Sequence, residues 1–160
     1  MIKRVEYVDR IRKALGRNPV VMILGPRQIG KSTLAQQLLP RTDPQYFDLE
    51  LPGTQHLMND PYTTLEGLRG LVVIDEAQRA PGLFPVLRAL ADRPRKPARF
   101  LLLGSASPEL SRQSNESLAG RVEFIDVFGF SSAEVGRTAE RKLWTRGGFP
   151  RSLLARNEQD

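Results

Sequence analysis

The apolar run "PVVMIL" (residues 19–24) passes without a break into "GPRQIGKST", Gly25 to Thr33. An uninterrupted apolar run of this length suits a strand covered on both faces. The segment that follows satisfies G-x-x-x-x-G-K-[ST] through Gly25, Gly30, Lys31 and Ser32. Glycines at the two ends permit a tight loop in which Pro26, Arg27, Gln28 and Ile29 form the turn and backbone N–H groups face inward, toward phosphate oxygens. Lys31 is placed to reach the β- and γ-phosphates, and the Ser32 hydroxyl to ligate Mg²⁺. Thr33 lies beside the α-phosphate, and the helix opening there offers its positive dipole end. Strand, loop and helix in this order predict a cradle for a nucleoside triphosphate, formed by residues 25–33.

The rest of the chain repeats the alternation. The spacing of Val5, Val8, Ile11 and Leu15, followed by Gly16, predicts an amphipathic helix with a glycine stop. Strands are expected at 19–24, 46–51, 71–75, 99–104 and 122–128. Between them, Leu34, Ala35, Leu38 and Leu39 mark a helix ended by Pro40, and Leu83, Leu87 and Leu90 mark another. Asp60-Pro61 and Ser107-Pro108 read as N-caps followed by proline at the first helical position. Ser131 with Glu134 three residues on has the form of a capping box. Such an order predicts an α/β fold, a mostly parallel sheet with helices on both faces. No internal repeat or linker interrupts it.

Composition narrows the chemistry. With 40% apolar and 26% charged residues among 160, the chain reads as one globular, soluble domain. No apolar stretch approaches the roughly 18 residues of a membrane span, and charges in "MIKRVEYVDRIRKAL" oppose a signal peptide, so a cytoplasmic location without membrane partners is expected. Cysteine is absent and His56 is the only histidine, which leaves oxygen ligands for any metal. A net charge of +6 invites a nucleic-acid partner, but the densest basic run, "RPRKPAR" at 93–99, has no aromatic interleaved to stack on bases and reads better as a solvated loop.

The apolar strand "LVVID" ends in Asp75 and Glu76. Two adjacent acids at the carboxyl end of a strand, where open α/β sheets bind ligands, need a cation or water to manage their charge. Asp75 suits the Mg²⁺ role of a Walker-B carboxylate. Glu76 faces the other side of the strand end and suits a general base that polarises the attacking water. Ser105, at the end of "RFLLLG", is a candidate to contact the γ-phosphate or that water, although a turn serine would look the same. Arg121 in "SLAGR" is a candidate arginine finger, in cis or from a neighbour, against the commoner fate of a surface charge. Arg27 and Arg79 are weaker candidates for that role.

In this order, "GPRQIGKST", "LVVIDEAQRAPGLFPVLRAL", "LLLGSASPEL", "ESLAGRV" and "GGFP" resemble the N-terminal ATPase domain of a prokaryotic family of AAA-type P-loop ATP-binding proteins. The resemblance covers nearly the whole chain. It implies a P-loop NTPase sheet of additional-strand order 5-1-4-3-2, with ATP and Mg²⁺ as ligands. Lys31, Ser32, Asp75 and Glu76 transfer directly from the family pattern, and Gln78, Ser105 and Arg121 match recurrent positions. Proteins of this kind continue into a second domain. The chain accordingly divides into an ATPase domain at 1–140 and the start of a truncated C-terminal region at 141–160. There Trp144 and Phe149 are expected to pack the final helix or to meet the further domain.

Three activities follow as alternatives: an Mg²⁺-dependent ATPase that drives a conformational change in an attached domain or partner, a nucleotide-binding switch with negligible turnover, and a small-molecule phosphotransferase. The second acid weighs against the last, and the absence of N-K-x-D and T-K-x-D weighs against a GTPase. Self-association that completes the site is open, because AAA-type enzymes often share active sites across subunits. Tyr7 and Val8 are possible adenine walls. Tyr46, Tyr62 and His56, the last in a loop before Asp60, have ordinary structural explanations.

Overall fold

The computed structural model describes residues 2–42, 44–94 and 98–155. Five strands, β1 (Val20–Gly25), β2 (Gln45–Asp48), β3 (Gly70–Asp75), β4 (Ala98–Ser105) and β5 (Val122–Asp126), form one sheet in the order β2-β3-β4-β1-β5. All neighbours are parallel. This is the expected 5-1-4-3-2 order read from the other edge.

The continuity of the apolar runs now has its cause. Successive residues of a strand face opposite sides, and both sides are covered. Val20, Met22 and Leu24 face one core with Val72, Ile74, Phe100 and Leu102. Leu83, Phe84, Leu87 and Leu90 of α5 (Leu83–Ala91) and Leu110 and Leu118 of α6 (Pro108–Leu118) close that core. Val21 and Ile23 face a second core with Val73, Leu101, Leu103 and Ile125, covered by Val8, Ile11 and Ala14 of α1 (Val5–Arg17) and by Leu34 and Ala35 of α2 (Lys31–Gln36). At about 25 cal/mol per Å² of apolar surface, these two layers carry the stability of the sheet.

The local signals hold with adjustments. Asp60 caps α4 (Pro61–Leu65), its Oδ1 accepting from Thr63 N–H at 3.2 Å, and Ser107 caps α6 through Leu110 N–H at 3.2 Å. Gly16 does not stop α1, which runs to Arg17 and is closed by Asn18, whose N–H donates to Ala14 O at 2.8 Å. β2 ends at Asp48 rather than at 51, because Asp48 Oδ1 accepts the Glu50 N–H at 2.9 Å and turns the chain. The turn leads into α3 (Pro52–Leu57), so His56 lies in a helix and not in a loop. α2 ends well before Pro40, at Gln36.

The chain closes with α7 (Ser132–Val135), α8 (Arg137–Arg146) and α9 (Pro150–Leu154). Trp144 is 85% exposed and does not pack on α9. The segment between α8 and α9 returns to the loop after β5, where Phe130 N–H donates to Gly148 O at 2.6 Å. Of the basic run 93–99, residues 95–97 lie outside the described residues, while Arg93 donates to Glu66 O at 3.0 Å. Among the described residues, no helix is long and apolar enough to cross a membrane.

Candidate functional site

Parallel strands align their carboxyl ends on one rim. The register pairs Gly25 with Ser105 and Asp48 with Asp75, so the ends of β1, β4, β3 and β2 meet there. The loop 26–30 rises from this rim. Gly25 admits no side chain, since a Cβ would stand 2.5 Å from the Val127 carbonyl oxygen. Gly30, with φ +92°, takes the left-handed conformation that turns the chain into α2. Gln28 adopts φ +62°, and Ile29 is buried in the second core. Ile29 therefore anchors the loop from below, and only its backbone remains to face a ligand.

Lys31 is 6% exposed, and its Nζ donates to Gly25 O and Pro26 O at 2.9 Å each. Burial pushes its pKa below the usual lysine value. Glu76 and Asp75 pull it back up, and nearby Arg27 adds to the lowering. Across the rim Asp75, also 6% exposed, collects three donors. Ser32 Oγ donates to Asp75 Oδ2 at 2.6 Å, Tyr46 OH donates to the same oxygen, and Glu76 N–H donates to Oδ1 at 2.9 Å. Ser32 and Asp75, 43 residues apart, are thus joined directly. Burial, followed by the bond to Asp75, holds the Tyr46 phenol well above its ordinary pKa, so it stays a donor throughout the neutral range.

Glu76 follows with φ +55°, left-handed and non-glycine. It lines the same cleft as Arg27, Gln28, Gly30, Lys31, Ser32 and Thr33. The cleft measures about 520 Å³, within the range of small-molecule sites. Its far wall is Glu50, Pro150 and Arg151. The first turn of α2 opens into it with N–H groups that have no intrahelical acceptor. A polyanion has a basic, N–H-rich wall here, and a small hard cation has two oxygens.

The structure brings Lys31, Ser32, Thr33, Asp75 and Glu76 together with the loop, and places Ser105 next to Gly25 with its Oγ buried and unpartnered among the described residues. Arg121 is elsewhere. Its carbonyl accepts from Val20 N–H at the opposite end of the sheet, and its guanidinium grips Asp92 through Nε at 2.6 Å and Nη2 at 2.9 Å. A role for Arg121 in its own chain's cleft is excluded by that position. Arg79 stands 3.5 Å from Glu50 in an exposed pair. Val8 is core, and Tyr7 lies under the Arg4 guanidinium with its OH accepting from Phe128 N–H at 3.3 Å, so neither lines the cleft.

Tyr46, Glu50, Pro150 and Arg151 were not singled out as site residues in the sequence. "GGFP" marked the neighbourhood of Pro150, but no spacing connects residue 150 to residue 30; the return of the chain does, leaving Pro150 Cγ 3.8 Å from a Cβ built on Gly30.

A family model described as an AAA domain matches residues 17–136. Two relatives, each an uncharacterized protein, one of Mycobacterium bovis and one of Mycobacterium tuberculosis, are 51% identical over 161 residues. These matches take in 100% of this chain and 36% of each relative, so the chain spans about a third of their length. Among solved structures, a Walker-type ATPase of Pyrococcus abyssi superposes with TM-score 0.66 at 18% identity, covering 91% of this chain and 59% of that one. A signal-transduction ATPase with a tetratricopeptide repeat sensor from Pyrococcus horikoshii gives TM-score 0.60 at 18% identity, covering 96% and 29%. At these identities the two share the fold with this chain.

Proposed function

Because the chain belongs to the AAA domain family of P-loop ATPases, we propose that it binds ATP in the cleft at the carboxyl rim of the sheet. We further propose that it hydrolyses ATP with Mg²⁺, in a cycle that moves an attached domain or a partner. One observation carries the reading: Ser32, which lines the cleft with Lys31 and Glu76, has its Oγ 2.6 Å from Asp75 Oδ2.

The donor set suits Mg²⁺, which takes one or two protein oxygens and completes its shell from phosphate and water. Among the described residues, no group of three or more His, Cys, Asp or Glu is arranged to hold a metal ion. Ser32 and Asp75 would hold it. When bound, the ion neutralises charge that develops between the β- and γ-phosphates.

The remaining steps belong to the chain. Loop 26–30 and the first turn of α2 orient the triphosphate by N–H donation. Lys31, freed from Gly25 O and Pro26 O, exchanges two carbonyl partners for phosphate oxygens. Glu76 accepts the proton of the attacking water as that water adds to the γ-phosphorus and ADP leaves. In this reading the hydroxyl of Ser105, paired in register with Gly25 at the end of β4, turns toward the same water. Pro150 and Arg151 close the cleft from the C-terminal side, which offers a route from nucleotide state to whatever follows α9.

The test is phosphate release with Mg²⁺, measured beside ATP affinity. Glu76→Gln is expected to bind ATP like the unsubstituted chain and to hydrolyse it about 10²- to 10⁴-fold more slowly. Hydrolysis at the unsubstituted rate would remove Glu76 as the base. The position of Arg121, remote from its own cleft, favours a second reading in which this chain alone is a nucleotide-binding switch. ATP affinity without phosphate release at any protein concentration would establish the switch instead.

A further inference from the structure

Between the ends of β3 and β4 lies a side chain to which the hydrolytic reading gives no task. Gln78 sits in the 3-10 turn Ala77–Arg79, two residues past the proposed base. Its Nε2 donates to Glu76 Oε2. Its Oε1 is buried without a partner among the described residues, and a Cβ built on Gly104 would stand 3.3 Å from it. The Ser105 hydroxyl, one residue along β4, is also buried and unpartnered there.

A glutamine retained only for packing would satisfy both ends of its amide or give way to an apolar residue of the same size. Here one end is committed to a carboxylate and the other is left without a partner among the described residues. The amide's orientation is set by chemistry, since the opposite one would press Oε1 against the carboxylate oxygen of Glu76. Glu76 is also fixed from its backbone: φ +55° is a conformation that L residues rarely adopt, and Glu76 O accepts from Arg79 N–H at 2.9 Å, closing the turn that carries Gln78. With Oε2 taken, Oε1 is the Glu76 oxygen that has no hydrogen bond among the described residues and remains to receive a proton.

We propose that Gln78 is a positioning residue for hydrolysis, clamping the Glu76 carboxylate by one oxygen so that the other faces the attacking water. The proposal rests on Glu76 acting as the general base.

The experiment is single-turnover hydrolysis of ATP with Mg²⁺ and protein in excess, beside ATP affinity by titration, for the unsubstituted chain, Gln78→Met, Gln78→Ala, Glu76→Gln and Gln78→Met/Glu76→Gln. Methionine keeps the volume and removes the amide, which guards against collapse of the turn. Gln78→Met is expected to slow hydrolysis about 10- to 100-fold, the scale of a misplaced catalytic group, with ATP affinity changed by less than about twofold. The double variant should be no slower than Glu76→Gln alone, because residues that act through one another are not additive. If Glu76→Gln loses hydrolysis and both Gln78 variants hydrolyse at the unsubstituted rate, the clamp is wrong while the base stands. A multiplicative loss in the double variant, or an ATP affinity that falls in step with the rate, also overturns the clamp by making Gln78 independent of Glu76. Unimpaired hydrolysis by Glu76→Gln, or none by the unsubstituted chain, removes the base reading and the clamp with it.

Discussion

Asp75 is a carboxylate loaded with donors. Two hydroxyls, from Ser32 and Tyr46, reach Oδ2, and a backbone N–H reaches Oδ1, so its orientation is fixed before any cation arrives. Tyr46→Phe removes one of those donors without changing the shape of the ring. Such a bond to a charged acceptor contributes about 1.5–3 kcal/mol, and urea denaturation at pH 7 should show a loss of that order. The alkaline limb gives an independent check. The phenol is raised in the folded protein above its ordinary 10.0, so the folded state holds that proton longer than the unfolded chain does. Its contribution is complete below pH 10 and is lost as pH climbs beyond that. Tyr46→Phe should therefore flatten the fall in stability above pH 10, and an unchanged limb would detach Tyr46 from Asp75. Lys31 and Ser32 were legible in the sequence because the cradle pattern fixes residue types at fixed spacing, and Asp75 because it ends an apolar strand. Tyr46 was not, because its partner lies 29 residues away on a neighbouring strand and nothing local requires a phenol there.

Among the elements, α7 is short and depends on its ends. The capping box is complete: Ser131 Oγ accepts from Glu134 N–H and Glu134 Oε2 accepts from Ser131 N–H at 2.9 Å. Glu134 has a second task that no local pattern announces. Its Oε1 accepts from Arg4 Nε at 2.7 Å, the two side chains being 9% and 5% exposed, and Arg4 Nη2 also donates to Phe128 O at 2.8 Å. The pair thus pins the start of α1 to the loop after β5. Burial alone would raise the Glu134 carboxyl, but the Arg4 bond and the Ser131 N–H outweigh it and hold the pKa below the ordinary 4.5. The stabilisation is present above about pH 4.5 and is lost as pH falls through the lowered value. Glu134→Gln leaves the Arg4 charge buried without a counterion, so a loss of about 3 kcal/mol at pH 7 is expected. Chemical denaturation between pH 6 and pH 3 should show the gap between the two proteins closing toward the acid end; a constant gap would mean that the carboxylate charge is irrelevant. The sequence spaced the caps correctly because they are three-residue devices. It misread Gly16 as a stop and let α2 run on to Pro40, because helix length depends on what lies beneath each turn.

For the molecule as a whole, strand order matters more than any single element. Parallel strands put all their carboxyl ends on one rim, and the order β2-β3-β4-β1-β5 seats β4, with Ser105, between the strand of the cradle and the strand of the acids. Alternating strand and helix signals made the parallel α/β architecture readable, and the resemblance to the AAA-type family implied its strand order, but neither could show which end of the sheet a loop residue occupies. Arg121 is the case in point: it immediately precedes β5, a strand length of roughly 17–20 Å from the rim, and its guanidinium is held by Asp92 through two bonds. An arginine so placed can serve phosphoryl transfer only in a second copy, set with its Arg121 end against the first copy's cleft. The specific activity of the unsubstituted chain is then expected to rise with protein concentration. Arg121→Ala should abolish that rise while leaving ATP affinity at the dilute value, and mixing it with Lys31→Ala should restore part of the activity, because each variant supplies what the other lacks. A rise that persists in Arg121→Ala, or mixtures no more active than their parts, would confine Arg121 to its bond with Asp92.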